Sequence, residues 1–173
     1  MGLRPGRTTR KLERPYTRVS KRKPRKSYVV GVPYSRVRIF EMGNKKKKFN
    51  TNVWLLAERS VQIRDNALEA ARIVSNKLLE KKLGSENYFM KVLVYPHHVL
   101  REHALATGAG ADRYSSGMRK SFGKPKGRAA QVRKNQRIFW LRVDKENLEV
   151  ARKALNRANT KLPTPCRIEI QAV

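Results

Sequence analysis

At 173 residues the chain is long enough for one ordinary domain, and 41 Lys and Arg against 13 Asp and Glu leave a formal charge of +28 and a pI near 11.1. Self-repulsion on that scale destabilises a compact chain unless a polyanion absorbs it, so the implied partner is a phosphate polymer or an anionic membrane. A membrane is the poorer fit: no apolar run reaches the roughly 20 residues of a spanning helix, the basic N-terminus leads into no apolar signal segment, and the lone Cys166 excludes an intramolecular disulfide and an all-cysteine zinc site.

Residues 1–27 read as an extended basic arm. Eleven Lys or Arg face one acid, Glu13, with prolines at 5, 15 and 24 and no apolar periodicity. Such a segment cannot bury enough apolar surface to offset its ordering entropy alone. Its candidate phosphate contacts are Arg4, Arg7, Arg10, Lys11, Arg18, Lys21, Arg22, Lys23, Arg25 and Lys26. Folded structure is expected from Tyr28, as short extended segments over "SYVVGVP" and "RVRIFEMGN" with Val37, Ile39 and Glu41 on one side, closed by Gly43-Asn44. Lys45, Lys46, Lys47 and Lys48 follow as a second basic cluster.

"VWLLAERSVQIR", residues 53–64, alternates in two halves around a polar break and predicts two strands or one bulged strand. Asp65 is placed as the N-cap of a helix whose Ala67, Ala71, Val74 and Leu78 share a face, ending at Gly84. A strand follows over 88–95, stopped by Pro96, and another over 137–143. Asp144 is then expected to cap a helix with Leu148, Ala151, Leu155 and Ala158 on one side, and residues 166–171 form a last strand. This order predicts an α+β domain over 28–173, with two amphipathic helices covering a mostly antiparallel sheet.

Residues 106–128 show no periodicity and hold five of the ten glycines, and a loop that long is usually functional. Its spacing fits no nucleotide fingerprint. Gly108 and Gly110 are followed by Arg113 where a third glycine is needed, and Gly117 to Gly123 has one residue too many for a phosphate loop, with Pro125 at the hydroxyl position. His97, His98 and His103 lack a second ligand cluster, so neither metal nor cofactor is expected. Arg113, Arg119, Lys120, Lys124, Lys126 and Arg128, continued by Arg133 and Lys134, instead mark RNA contacts, with Phe122 able to stack on a base or to pin the loop, and Met118 likewise. Basic arms and loops around a folded body suit irregular RNA better than duplex DNA, since the predicted helices carry acids on their outer faces.

"GADRYSSGMRKSFGKPKGRAAQV", residues 110–132, resembles the signature of the universal large-subunit ribosomal protein sixteen family, in its longer archaeal and eukaryotic form, L-ten-e. The start, "MGLRPGRTTR" with "RPYTRVSKRKPRKSYVVGVP", is similar to the same family's arm. Gly117, Met118, Arg119, Phe122, Gly123, Lys124, Pro125 and Gly127 match the family block, while Gln131 stands where arginine is expected, and Lys120 and Arg128 stand where small residues are common. The resemblance implies a non-enzymatic, cytoplasmic constituent of the large ribosomal subunit, active in translation and not a homo-oligomer. It would bind large-subunit rRNA between the central protuberance and the peptidyl transferase region, beside neighbouring ribosomal proteins, and its loop would reach toward tRNA in the A/P region. An RNA-processing or RNA-modifying enzyme and a free RNA chaperone are the alternative readings.

Overall fold

The structure is a computed structural model that describes residues 3–18 and 22–172. Among these residues eight strands and two α-helices run in the order β1 (Glu41–Gly43), β2 (Thr51–Ala57), β3 (Val61–Arg64), α1 (Asp65–Leu83), β4 (Tyr88–Val92), β5 (His98–Glu102), β6 (Lys124–Val132), β7 (Arg137–Val143), α2 (Leu148–Asn159) and β8 (Cys166–Ala172). The expected α+β class holds, with every strand pairing antiparallel. The strands form two sheets instead of one: five strands in the order β1-β4-β7-β2-β8, and three in the order β3-β6-β5.

The polar break at Glu58 to Ser60 explains the division. β2 ends in one sheet and β3 begins in the other, so the two halves of "VWLLAERSVQIR" have different partners. On β2, period-two alternation buries Val53 and Leu55 completely, and on β7 Leu141 and Val143. Helix α1 lays Leu68, Ala71 and Leu79 against the same core, and α2 adds Ala151, Ala154, Leu155 and Ala158. Full burial of each larger aliphatic side chain stabilises by roughly 1.5–3 kcal/mol.

Several expectations are corrected. The buried face of α1 is turned by one residue, because Ser75 belongs to it: its hydroxyl donates to Ala71 O at 2.8 Å, so a polar residue sits fully buried where the apolar pattern predicted Val74. Asp65 is the first residue of α1, with Arg64 at the cap position, and its Oδ2 accepts the Arg36 N–H at 3.1 Å. Asp144 makes no side-chain capping bond and instead faces Lys47 Nζ at 3.1 Å. Of the segments from Tyr28 to Asn44 only Glu41–Gly43 is a strand; Val37 is buried, but Ile39 is exposed, and Phe40 and Met42 pack on the core. The strand from Tyr88 stops at Val92, residues 98–102 form the unforeseen β5, and β6 is equally unforeseen, its first residues, Lys124 to Arg128, being read as loop. The irregular segment is therefore residues 103–123, with one short turn of helix at Ala111–Arg113.

Two glycines have no substitute. A Cβ on Gly43, at φ 82°, would lie 2.2 Å from Tyr88 O where β1 pairs with β4. On Gly123, also at φ 82°, it would lie 2.8 Å from the Glu102 carbonyl carbon and 3.0 Å from His103 N. Only a residue without a side chain lets the end of the irregular segment close against β5.

Candidate nucleic-acid interface

The three-stranded sheet carries the arm. Arg10 O accepts the Gln62 N–H at 2.9 Å, and the buried Gln62 amide donates to the carbonyls of Thr9 and Lys11. Gln131 Nε2 donates to Glu13 O at 2.8 Å, so this glutamine helps hold the arm in place. Farther along, Tyr16 O accepts the Val99 N–H at 3.3 Å, and Tyr16 N–H donates to His98 Nδ1 at 3.0 Å. Arg4 Nε pairs with Glu102 Oε1 at 2.6 Å, and Arg64 Nη1 donates to Arg4 O at 2.7 Å.

His98 is 2% exposed, and its Nδ1 is occupied as an acceptor, so the ring is the neutral Nε2–H tautomer. Burial pushes its pKa below the ordinary value; the carboxylate of Glu13 opposes that shift and Arg101 adds to it. His97 packs its ring 4.6 Å from that of Tyr95, and His103 Nε2 donates to Gly117 O at 2.7 Å. The three histidines thus have three separate partners, and among the described residues no group of three or more His, Cys, Asp or Glu could hold a metal ion. Burial also pushes the Cys166 thiol up to about 12, which keeps it protonated and unreactive.

On its other side, strand β5 grips the irregular segment. Arg101 stands with its guanidinium carbon 3.9 Å over the Phe122 ring and 4.2 Å over the Tyr16 ring, and its Nη1 donates to Phe122 O at 3.0 Å. The Tyr16 and Phe122 rings meet edge to face at 5.6 Å. Phe122 therefore pins the loop base to the arm. Met118 is 69% exposed and makes no such anchor, and Tyr114, 87% exposed, stands farther out on the loop.

Around this framework most of the predicted cations are exposed, and several have partners within the chain. Arg7, Arg10, Lys11, Arg18, Arg22, Lys23, Arg25 and Lys26 on the arm, Arg113, Arg119, Lys120, Lys124 and Lys126 on the loop and β6, and Arg133 and Lys134 in the β6–β7 turn are all exposed. Lys46 and Lys48 are exposed as well, their turn organised by Asn44 Oδ1, which accepts the Lys46 and Lys47 N–H groups at 3.0 and 3.2 Å. Arg4, Lys45, Lys47 and Arg128 are already engaged: with Glu102, with Glu41 at 2.8 Å, with Asp144, and with Pro33 O at 2.7 Å from Arg128 Nε. Lys21 lies outside the described residues.

A cleft of about 600 Å³ opens between arm, β5 and β6, rimmed by Arg4, Tyr34, Arg36, Arg64, Arg101 and Lys126. Tyr34, 90% exposed, offers a free ring there. Arg36, Arg64 and Arg101 escaped the sequence reading because none lies in a long basic run; the topology brings them together. Arginines around a groove supply bidentate phosphate contacts and planar stacking, a chemistry suited to folded RNA.

Comparison with known proteins agrees. The family described as ribosomal protein L16p/L10e matches residues 16–169. The large ribosomal subunit protein uL16 of Archaeoglobus fulgidus is 49% identical over 99% of this chain and 94% of its own length. The proteins of the same name from Picrophilus torridus, 49% identical over 91% of this chain and 90% of theirs, and Staphylothermus marinus, 47% identical over 97% and 93%, are similarly related. The chain belongs to the L16p/L10e family of ribosomal proteins.

Proposed function

We propose that the chain is a structural, non-enzymatic component of the large ribosomal subunit, working in the cytoplasm, that binds large-subunit rRNA between the central protuberance and the peptidyl transferase region. The arm residues Arg7, Arg10, Lys11, Arg18 and Arg22, the loop residues Arg113, Arg119 and Lys120, and Lys124, Lys126, Arg133 and Lys134 neutralise phosphates. Residues 103–123, clamped at their base by Arg101 and Phe122, extend toward the path of aminoacyl-tRNA and shape it sterically. The observation that carries this reading is the convergence of arm, loop base and β6 on one three-stranded sheet, which gathers exposed cations around a groove of nucleotide size. Nothing in the mechanism is chemical: the protein contributes charge, shape and a fixed loop.

RNA crosslinking of the intact subunit, read at residues 4–26 and 103–134, tests it. Crosslinks to one contiguous rRNA neighbourhood, with tRNA crosslinks confined to the loop, are the expected result. Migration of the protein apart from subunits in a gradient, or rRNA binding without salt dependence, would overturn the reading.

A further inference from the structure

The five-stranded sheet has a face turned away from the core, and its side chains lie in register. One row crosses all five strands as Glu41, Lys91, Trp140, Trp54 and Glu169, and the next as Gly43, Phe89, Arg142, Asn52 and Gln171. At one end Leu56 pairs with Arg137 on one side and Arg167 on the other. Trp54 and Trp140 stack with centroids 5.1 Å apart and planes 7° from parallel, and Arg137 sets its guanidinium carbon 4.0 Å over Trp54. Arg142 lies 4.3 Å over Phe89 and 5.1 Å over Trp140.

This ladder uses up its ring faces internally. With Trp140 against Trp54 and a guanidinium over the ring, little area is left for a nucleobase or an apolar side chain to cover. What the surface presents instead are guanidinium N–H edges held flat by the rings, with their side-chain entropy already spent. Arg137 and Arg167 are exposed and have no acceptor among the described residues, while Arg142 Nη2 reaches Lys45 O at 3.4 Å and so joins the face to the lysine run at 45–48. Of the two acids on the face, Glu41 is bound by Lys45 and Lys91 at 2.8 and 2.6 Å, which leaves Glu169 as the one carboxylate with no ion pair.

We propose that this open face is a second RNA-binding surface, on which Arg137, Arg167 and Arg142 hold the phosphate backbone of an rRNA segment distinct from the one engaged by the arm and loop. The inference rests on the rRNA-binding reading above and extends it to residues outside the basic arm, loop and lysine run. Arg137 and Arg142, fixed flat on the rings, suit phosphate, and the exposed Arg167 adds a third cation across Leu56 from Arg137. A protein neighbour would need free apolar area at the centre of the patch, which the stacked arginines occupy.

The chain's two tryptophans, Trp54 and Trp140, both stand on this face, so tryptophan emission reports on it and on nothing else. The experiment titrates the full chain with large-subunit rRNA, follows acrylamide quenching of that emission, and measures the salt dependence of binding. Expected are a quenching constant at least twofold lower with rRNA, and a salt slope reduced by about 2 in the triple variant R137Q/R142Q/R167Q. Because Arg137 and Arg142 also pack on the rings, R167Q alone, with a slope reduced by about 0.7, and E169Q, with tighter binding, keep the test valid if the triple variant unfolds. Unchanged quenching with an unchanged slope in R167Q would overturn this inference while wild-type rRNA binding left the general reading intact. Shielding that required a neighbouring subunit protein and not rRNA would overturn it too. Failure of the wild-type chain to bind rRNA at all would remove the general reading and this one with it.

Discussion

Replacing Arg101 by methionine keeps the length of the side chain and removes its charge, and the structure states what is lost. Two ring contacts at 3.9 and 4.2 Å disappear, each contributing about 0.5–1 kcal/mol at a half-buried site. The hydrogen bond from Nη1 to Phe122 O goes with them, contributing about 1.5–3 kcal/mol as a charged donor. Water recovers part of that at the exposed end, so about 2–4 kcal/mol of local stability is the expected loss. The loss should fall on the loop base, not on the core, because the ring and hydrogen-bond contacts of Arg101 are with Phe122 and Tyr16, both outside the central cluster. Hydrogen exchange of the full chain reads it: at about 1.4 kcal/mol per tenfold, amides of residues 117–123 should exchange roughly 30- to 1,000-fold faster, while those of β2 and β7 keep their wild-type rates. A change below threefold at 117–123, or an equal change in β2, would refute the assignment of Arg101 as the clamp.

Gly123→Ala should cost about 2–4 kcal/mol through positive-φ strain and the 2.8 Å approach to Glu102, seen as a lower melting temperature and a protease-sensitive loop. Gln131→Ala should leave the core melting transition nearly unchanged but release the arm, measurable as faster proteolysis before residue 18. The pH response follows from His98: its pKa is lowered in the folded state, so the unfolded chain binds the extra proton and stability falls as pH drops through 6.5. His98→Gln should flatten that window in denaturant titrations. Glu41 and Glu102 are also lowered, Glu41 to about 2 by its lysines and Glu102 by Arg4, but as acids they lose their stabilisation only below pH 4.5, so the two windows separate.

Legibility in the sequence tracked how local each cause is. β7 was read residue for residue, and the face of α2 nearly so, because periods of 2 and 3.6 need no information from elsewhere. β5 escaped because "HVLRE" has no apolar alternation; it is a strand because β6 lies beside it. All of β6 escaped: Pro125 and Gly127 make its start read as loop, and residues 129–132 were assigned to no strand, yet Pro125 pairs opposite Arg101 where the register shifts, a position where a strand tolerates proline. Asp65 looked like a cap by type, but its carboxylate serves Arg36, 29 residues away. Most exposed cations of the candidate interface were visible from charge alone, the exposed Arg36 excepted. What fixes them was not: Gln62, Gln131, His98 and Arg101 act through partners 20 to 120 residues distant in the chain, and no local pattern carries that.

The charge itself leads to a last prediction, in which salt acts with opposite signs on folding and on binding. Ion pairs engage Arg4, Lys45, Lys47, Arg72, Lys91 and Lys153, and with only 13 acids in the chain most of its 41 Lys and Arg have no carboxylate to match them. The remaining cations repel one another across a 20.0 kDa body, and in the free protein only counterions relieve them. Screening shortens from about 10 Å at 0.1 M salt to about 3 Å at 1 M, so repulsion between neighbouring arm, loop and turn cations fades while the short ion pairs lose little. The melting temperature of the free chain should therefore rise from 50 mM to 500 mM potassium chloride, and rRNA affinity should fall by about 0.7–0.9 decades per decade of salt for each phosphate held. A melting temperature that fell with salt would mean that internal pairs, not the absent polyanion, balance this charge, and the electrostatic account of why the protein needs RNA would fail with it.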